Sequence, residues 1–153
     1  MLKRQYTGND IISISVILVY IIPAIMYYYT GNIREIIAII GTFGSNILSE
    51  SIKYYIIGTR SPRPKGAEGC NLLCNDGLQE GKPGMPSGHS GTVTFFMGYY
   101  WNEIDNDLIK IGLLIYVALV MYSRYAKHCH SIGQIVAGGL FGLGMSMLVK
   151  RLI

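Results

Sequence analysis

The chain has 153 residues, room for one domain and too few for two ordinary ones. Half the residues are apolar and only 14% are charged, well below the quarter usual in soluble domains, and the apolar residues fall in blocks. The net charge of +4 is spread over loops and helix ends without an aromatic-interleaved basic patch, so nucleic-acid binding is excluded.

Lys3 and Arg4 precede the first block, Ile11 to Tyr29, whose 19 uncharged residues approach the ~20 needed to span a bilayer. It is too long for a signal-peptide core and no small-residue cleavage site follows, so it reads as a retained span. The second block, Ile36 to Ile57, is broken only by Glu50 and Lys53. A third, Gly88 to Trp101, is uncharged but short. After the polar turn "NEIDND" comes a fourth, Leu108 to Ser123, with Lys110 near its start. The last, Ser131 to Val149, is again 19 residues without a charge. The pattern predicts an all-α fold: a polytopic membrane helix bundle of about five transmembrane helices, forming a single domain over residues 1–153.

The long connection, residues 58–87, is rich in Gly, Pro and charge, and loops of that length are often functional. Cys70, Cys74 and Cys129 all lie in loops. The C-x3-C spacing does not suit the common zinc motifs, and the odd count gives no closed disulfide set. A Cys70–Cys74 bridge is the pairing open to that loop if it faces an oxidising compartment.

Five spans put the N-terminus, the 58–87 loop and the 124–130 loop on one face. His89, His128 and His130 gather there, with nine of the 13 Lys and Arg residues. Three stretches on that face carry chemistry. In "KYYIIGTRSPRP", residues 53–64, Lys53 lies in the last turns of an apolar helix, where an ammonium is costly and usually functional. Glu50, one turn earlier, is placed to pair with it. In "GMPSGHS", residues 84–90, Ser87 stands where a helix N-cap belongs and Gly88 admits a ligand close to the backbone. Helix N-termini bind anions through free N–H groups and the macrodipole. In "SRYAKHCHSIGQ", residues 123–134, Arg124 ends one helix and His130 precedes the next. Gln134, four residues on, can accept from its imidazole and fix the tautomer. Two histidines, several cations and a helix start at one mouth describe a phosphate site: donors for its oxygens, one imidazole to attack and one to donate a proton.

These stretches resemble the type 2 phosphatidic acid phosphatase superfamily, whose pattern is K-x6-R-P, then P-S-G-H, then S-R-x5-H-x3-D. The second motif matches as Pro86-Ser87-Gly88-His89 and the third as Ser123-Arg124 with His130. In the first, Lys53 plus seven reaches Arg60, which Ser61 follows, whereas the Arg-Pro pair is Arg63-Pro64. Lys53 with Arg60 is the favoured pair and Arg63 the rival. Gln134 stands where the family usually has aspartate, and that ending looks like the dolichyl diphosphatase branch.

The resemblance implies a metal-independent hydrolase with no cofactor. His130 would attack phosphorus to form a phosphohistidine and His89 would protonate the leaving oxygen. Lys53, Arg60, Arg124, Ser87 and the Gly88 N–H would hold the phosphoryl oxygens. The expected substrate is a lipid phosphate or diphosphate, a polyprenyl diphosphate first, with phosphatidate or undecaprenyl diphosphate as alternatives and a non-catalytic protein of the same fold as the rival reading. The expected location is an integral, multi-pass position in the endoplasmic reticulum, and the small number of spans leaves an apolar groove suited to a homo-oligomer.

Overall fold

The computed structural model describes residues 6–153. Lys3 and Arg4 lie outside the described residues. Helix α1, Gly8–Ile14, runs through a 3₁₀ turn, Ser15–Ile17, into α2, Leu18–Thr30, and the three make one rod. Thr7 opens it with a capping box to Asp10, and Gly31, in the left-handed region at φ 66°, closes it. Helix α3, Ile33–Ser51, follows at once from the Asn32 cap and continues as a π-helix, Ile52–Ile57, and a 3₁₀ turn, Gly58–Arg60. Helices α4, Gly88–Tyr100, α5, Asp107–Ala126, and α6, Ile132–Leu152, complete the bundle. No strand occurs among the described residues; the 61–87 connection holds only two isolated bridges, Pro62 with Pro83 and Glu68 with Leu78.

The five expected helices are therefore five helical rods, but the expectation of five membrane spans is only partly met. Among the described residues, three rods are long and apolar enough to cross a membrane: Gly8–Thr30, Asp107–Ala126 and Ile132–Leu152. Helix α3 carries Arg34, Glu35 and Glu50, and α4 has 13 residues rich in Gly, Ser, Thr and Tyr. Helix α4 can be short and polar because its neighbours wrap it. Val93, Phe95, Thr92 and Thr94 on it are buried, with Phe95 and Val93 wholly inaccessible.

The pairing of α4 with α6 is made by small residues. A Cβ on Gly142 would lie 2.0 Å from the Gly91 carbonyl oxygen, and one on Gly138 would lie 2.3 Å from that of Ser87. A Cβ on Gly98 would meet Ser146 Oγ at 2.3 Å. Gly138, Gly142 and Ser146 thus form a small-residue stripe of four-residue period that lets two backbones touch, as in membrane helix pairs. Thr94 Oγ1 donates across the seam to the Gly139 carbonyl at 3.0 Å, and the Ser87 N–H donates to the Gln134 carbonyl at 3.0 Å. The seam brings the N-terminus of α4 against the N-terminus of α6. That places His89 beside His130.

At the other end, Tyr99 donates to the Arg34 carbonyl at 2.9 Å and Tyr100 to the Glu35 carboxylate, tying α4 to the start of α3. Helix α1 docks on α5 through Ser13 and Ser123, whose hydroxyls lie 2.9 Å apart, and through a buried ion pair between Asp10 and Lys127 at 2.6 Å.

Candidate active site

A cavity of about 270 Å³ opens between α2, α3, α4 and the 61–87 loop. Lys53, Arg63, Gly88, His89 and His130 line it together with Glu50 and Tyr54. Asn71, Asp76 and Gln79 form part of its wall from the loop, and Tyr20, Asn46 and Thr92 from the helices. Lys53 and His130, 77 positions apart in the chain, meet in one space.

Lys53 reaches the cavity from the π-helix. It is 2% exposed and paired with the Glu50 carboxylate, so it does not snorkel to the surface. Wide helical turns of this kind often mark functional sites because they re-aim side chains. The 3₁₀ turn that follows begins at Gly58, whose φ of 57° and ψ of −142° suit glycine alone. Lys53-x9-Arg63 exceeds the K-x6-R spacing by three residues, and the two irregular turns occupy most of that interval.

Arginine placement departs from the expected preference. Arg60 is exposed, and its guanidinium folds back onto the carbonyls of Ile56 and Ile57. Those carbonyls end a helix and need donors. Arg63 is buried instead, donating from Nη1 to the Cys129 carbonyl at 3.1 Å and lying 3.2 Å from His130 Nε2. Lys53 therefore shares the cavity with Arg63, and the Lys53–Arg60 pairing is not formed.

His130 is 2% exposed, and its Nδ1 lies 3.3 Å from Gln134 Oε1. The amide nitrogen of Gln134 donates to the Pro62 carbonyl at 2.8 Å and to Ser61 Oγ at 3.0 Å. Those acceptors turn the amide oxygen toward the imidazole. An oxygen there requires a donor, so Nδ1 carries the proton and Nε2 keeps its lone pair toward Arg63. Burial, and then the charge of Arg63, push the His130 pKa well below the usual histidine value. The ring is neutral at pH 7.

Ser87 stands at the N-cap of α4 but its side chain does not cap the helix as expected. Its backbone is held by α6, and its hydroxyl accepts from Ser90 Oγ at 3.0 Å. Gly88 and His89, next in the chain, do face the cavity. Arg124 is fully buried behind the wall, donating from Nη1 to Ser13 Oγ at 3.0 Å and from Nη2 to the Cys70 carbonyl at 2.5 Å. Ser87, Arg124 and Gln134 thus stand around the cavity without lining it.

Three nitrogens close to this cluster are buried without a hydrogen-bond partner: His89 Nε2, Arg63 Nε and Arg124 Nε. Buried polar nitrogens without partners are costly, and the two arginine Nε atoms, which can only donate, suit an anionic ligand.

The PAP2 superfamily model matches residues 34–153, more than three quarters of the chain. The chain belongs to the PAP2 superfamily. Membership supports phosphatase chemistry, hydrolysis of a phosphoric ester, on a lipid phosphate. No curated protein and no solved structure matches the chain. The matched PAP2 region contains all three motif stretches and begins within α3, so the rod Gly8–Thr30 lies before it.

Two features of this PAP2 site escaped the sequence reading. The Cys70–Cys74 pairing that the sequence left open is not the one formed: Cys70 pairs with Cys129 across 59 positions, and Cys74 is a free, buried thiol 2.8 Å from Lys127 Nζ. Spacing favoured the near neighbour, whereas the fold brings the 66–80 loop over the 124–130 turn. The second is the Asp10–Lys127 pair, which no local pattern announces because its halves lie on the first rod and at the end of the fourth.

Proposed function

We propose that this protein hydrolyses the terminal phosphate of a membrane lipid phosphate or diphosphate, with His130 as nucleophile and His89 as proton donor. The observation that carries the reading is the meeting of both imidazoles with Lys53 and Arg63 in one cavity. His130 Nε2, neutral and beside the Arg63 guanidinium, attacks phosphorus. The phosphorus–oxygen bond to the leaving group breaks, and His89 gives that oxygen a proton. Lys53, Arg63 and the first N–H groups of α4 hold the phosphoryl oxygens, and Arg124 supports them with its charge from behind. Arg63 would exchange its contact with His130 for one with phosphate. Water then attacks the phosphohistidine, returns a proton to His89 and frees inorganic phosphate. The cations provide the charge stabilisation, so the proposed reaction needs no metal.

A lipid is favoured over a soluble ester by what adjoins the cavity. A groove of about 420 Å³ shares Asn46, Glu50 and Tyr54 with it and continues past Phe43, Ile47 and Tyr55. Phe43, Ile47 and Tyr55 are exposed on the outside of the bundle, as suits an acyl or prenyl chain leaving the head group. A polyprenyl diphosphate is the first candidate, on the resemblance of the Gln134 ending. The mouth is read as facing an oxidising compartment such as the lumen of the endoplasmic reticulum, because a disulfide through Cys70 forms part of the cavity wall.

Phosphate release from a panel of polyprenyl diphosphates, polyprenyl phosphates, phosphatidate and a soluble sugar phosphate, in detergent with chelator present, tests this reading. Release from lipid substrates that vanishes in His130→Ala is expected. Equal release by that variant, or a preference for the sugar phosphate, would contradict it.

A further inference from the structure

The two cysteines of the disulfide do more than join loops. Cys129 immediately precedes His130, and its carbonyl receives Arg63 Nη1 at 3.1 Å. The Cys70 carbonyl receives Arg124 Nη2 at 2.5 Å, and its N–H donates to Asp76 Oδ1 at 2.6 Å. One covalent link therefore spans the acceptors that orient two buried guanidiniums and the residue next to the candidate nucleophile. Both cysteines are buried, and Cys70 also lines the cavity. The segment carrying Cys70 has little regular structure of its own, and such segments open at low cost.

We propose that the Cys70–Cys129 disulfide is a positioning element of the phosphate site, setting how Arg63, Arg124 and His130 meet an anion. It rests on the phosphatase reading for its kinetic consequence but not for its binding consequence. Reduction takes two electrons from a dithiol or phosphine reductant and yields two thiols. The fold remains, because α4 and α6 are joined elsewhere by the glycine seam. The carbonyls of residues 70 and 129 then move independently, and the guanidiniums lose their shared frame. Displacements of about 1 Å at such groups cost up to about a hundredfold in rate.

A brace that served stability alone would change how much protein is folded. A positioning brace changes the affinity of the protein that remains folded, and affinity does not depend on the active fraction. The test is the Kd of orthovanadate by titration calorimetry on the purified full chain, oxidised and after phosphine reduction, with helix content followed by circular dichroism. Thiol counting accompanies it: one free thiol is expected before reduction and three after. The Kd is expected to rise about tenfold on reduction at unchanged helix content and to return on reoxidation. Cys74→Ser should respond to reductant as the wild type does. The double variant Cys70→Ser/Cys129→Ser should show the weak Kd from the start and ignore reductant.

Three thiols in the untreated protein, no vanadate binding by the oxidised protein, or a Kd unmoved by reduction would each overturn the proposal. Should the double variant not fold, reduction of the wild type decides alone. A redox-dependent Kd with no hydrolysis of any lipid phosphate would sustain this inference while removing the proposed activity.

Discussion

Gln134 links His130 to the turn at Ser61 and Pro62: its amide oxygen lies 3.3 Å from His130 Nδ1 while its amide nitrogen donates to the Pro62 carbonyl at 2.8 Å. A carboxylate at this position could accept from the imidazole but would set its second oxygen against the backbone carbonyls. The amide suits both neighbours. Gly84 leaves the room, since a Cβ there would lie 2.7 Å from the Gln134 side chain.

Gln134→Glu should therefore not improve the nucleophile. Leaving the Ser61 and Pro62 acceptors without their donor should cost about 1–3 kcal/mol of stability, read as a lower Tm in detergent. Gln134→Ala should lower kcat about tenfold to a hundredfold through loss of ring orientation. Faster turnover by the Glu variant would show that charge outweighs the link to residues 61–62.

The placement of the two arginines gives a paired prediction. Arg63→Ala should lower kcat/KM by about 10²–10³-fold, the usual effect of removing a donor to a transition-state oxygen. Arg60→Ala, at an exposed side chain that contacts only helix-end carbonyls, should stay within about twofold, as surface substitutions do. Steady-state kinetics on one lipid substrate separates them. The opposite order would mean that substrate binding remodels the 58–63 turn.

The glycine seam should be intolerant of a single methyl. Gly142→Ala would set a Cβ 2.0 Å from the Gly91 carbonyl, forcing α4 from α6. Overpacking of that kind costs about 1–3 kcal/mol, and here it also separates His89 from His130, so Tm and kcat should fall together. Gly144→Ala, with nothing within 4 Å of the new Cβ, is the control and should change neither.

The pH profile follows from the environment of His130. Its pKa is held below the usual 6.5 by burial and by the Arg63 charge, so the nucleophile stays unprotonated as pH falls through that value. The acidic limb of kcat/KM, which reports the free enzyme, should thus lie below 6.5. Removing a positive neighbour raises a histidine pKa. Arg63→Gln should therefore move that limb toward higher pH, and comparing the two profiles on one substrate cancels the substrate's own ionisation. A limb that stays in place would mean that another group titrates.

Much of this site was legible because its chemistry is local. Pro86-Ser87-Gly88-His89 and Ser123-Arg124 with His130 are short stretches whose helix-start geometry follows from sequence, and Gln134 falls on the His130 side of α6 by helical period alone. The misjudged features depend on distant contacts. Arg60 stands at the expected spacing from Lys53, yet the π-helix and the Gly58 turn carry it outward and bring Arg63 in. Ser87 has the right identity for a cap, but α6 claims its backbone. Cys129 finds Cys70 only once the 66–80 loop covers the mouth. Of the five expected spans, apolar length picks out three rods, whereas α4 is polar where α6 presses against it and α3 carries charge at both ends.

The account rests on His130 taking the phosphoryl group, with His89 beside it in the same cavity. The most direct measurement is rapid alkaline quenching of turnover on a terminally ³²P-labelled lipid diphosphate, followed by peptide mapping of the label. Acid-labile, base-stable label on the peptide containing His130 is expected, absent in His130→Ala. Turnover that persists in His130→Ala, or label carried by any other residue, would contradict it.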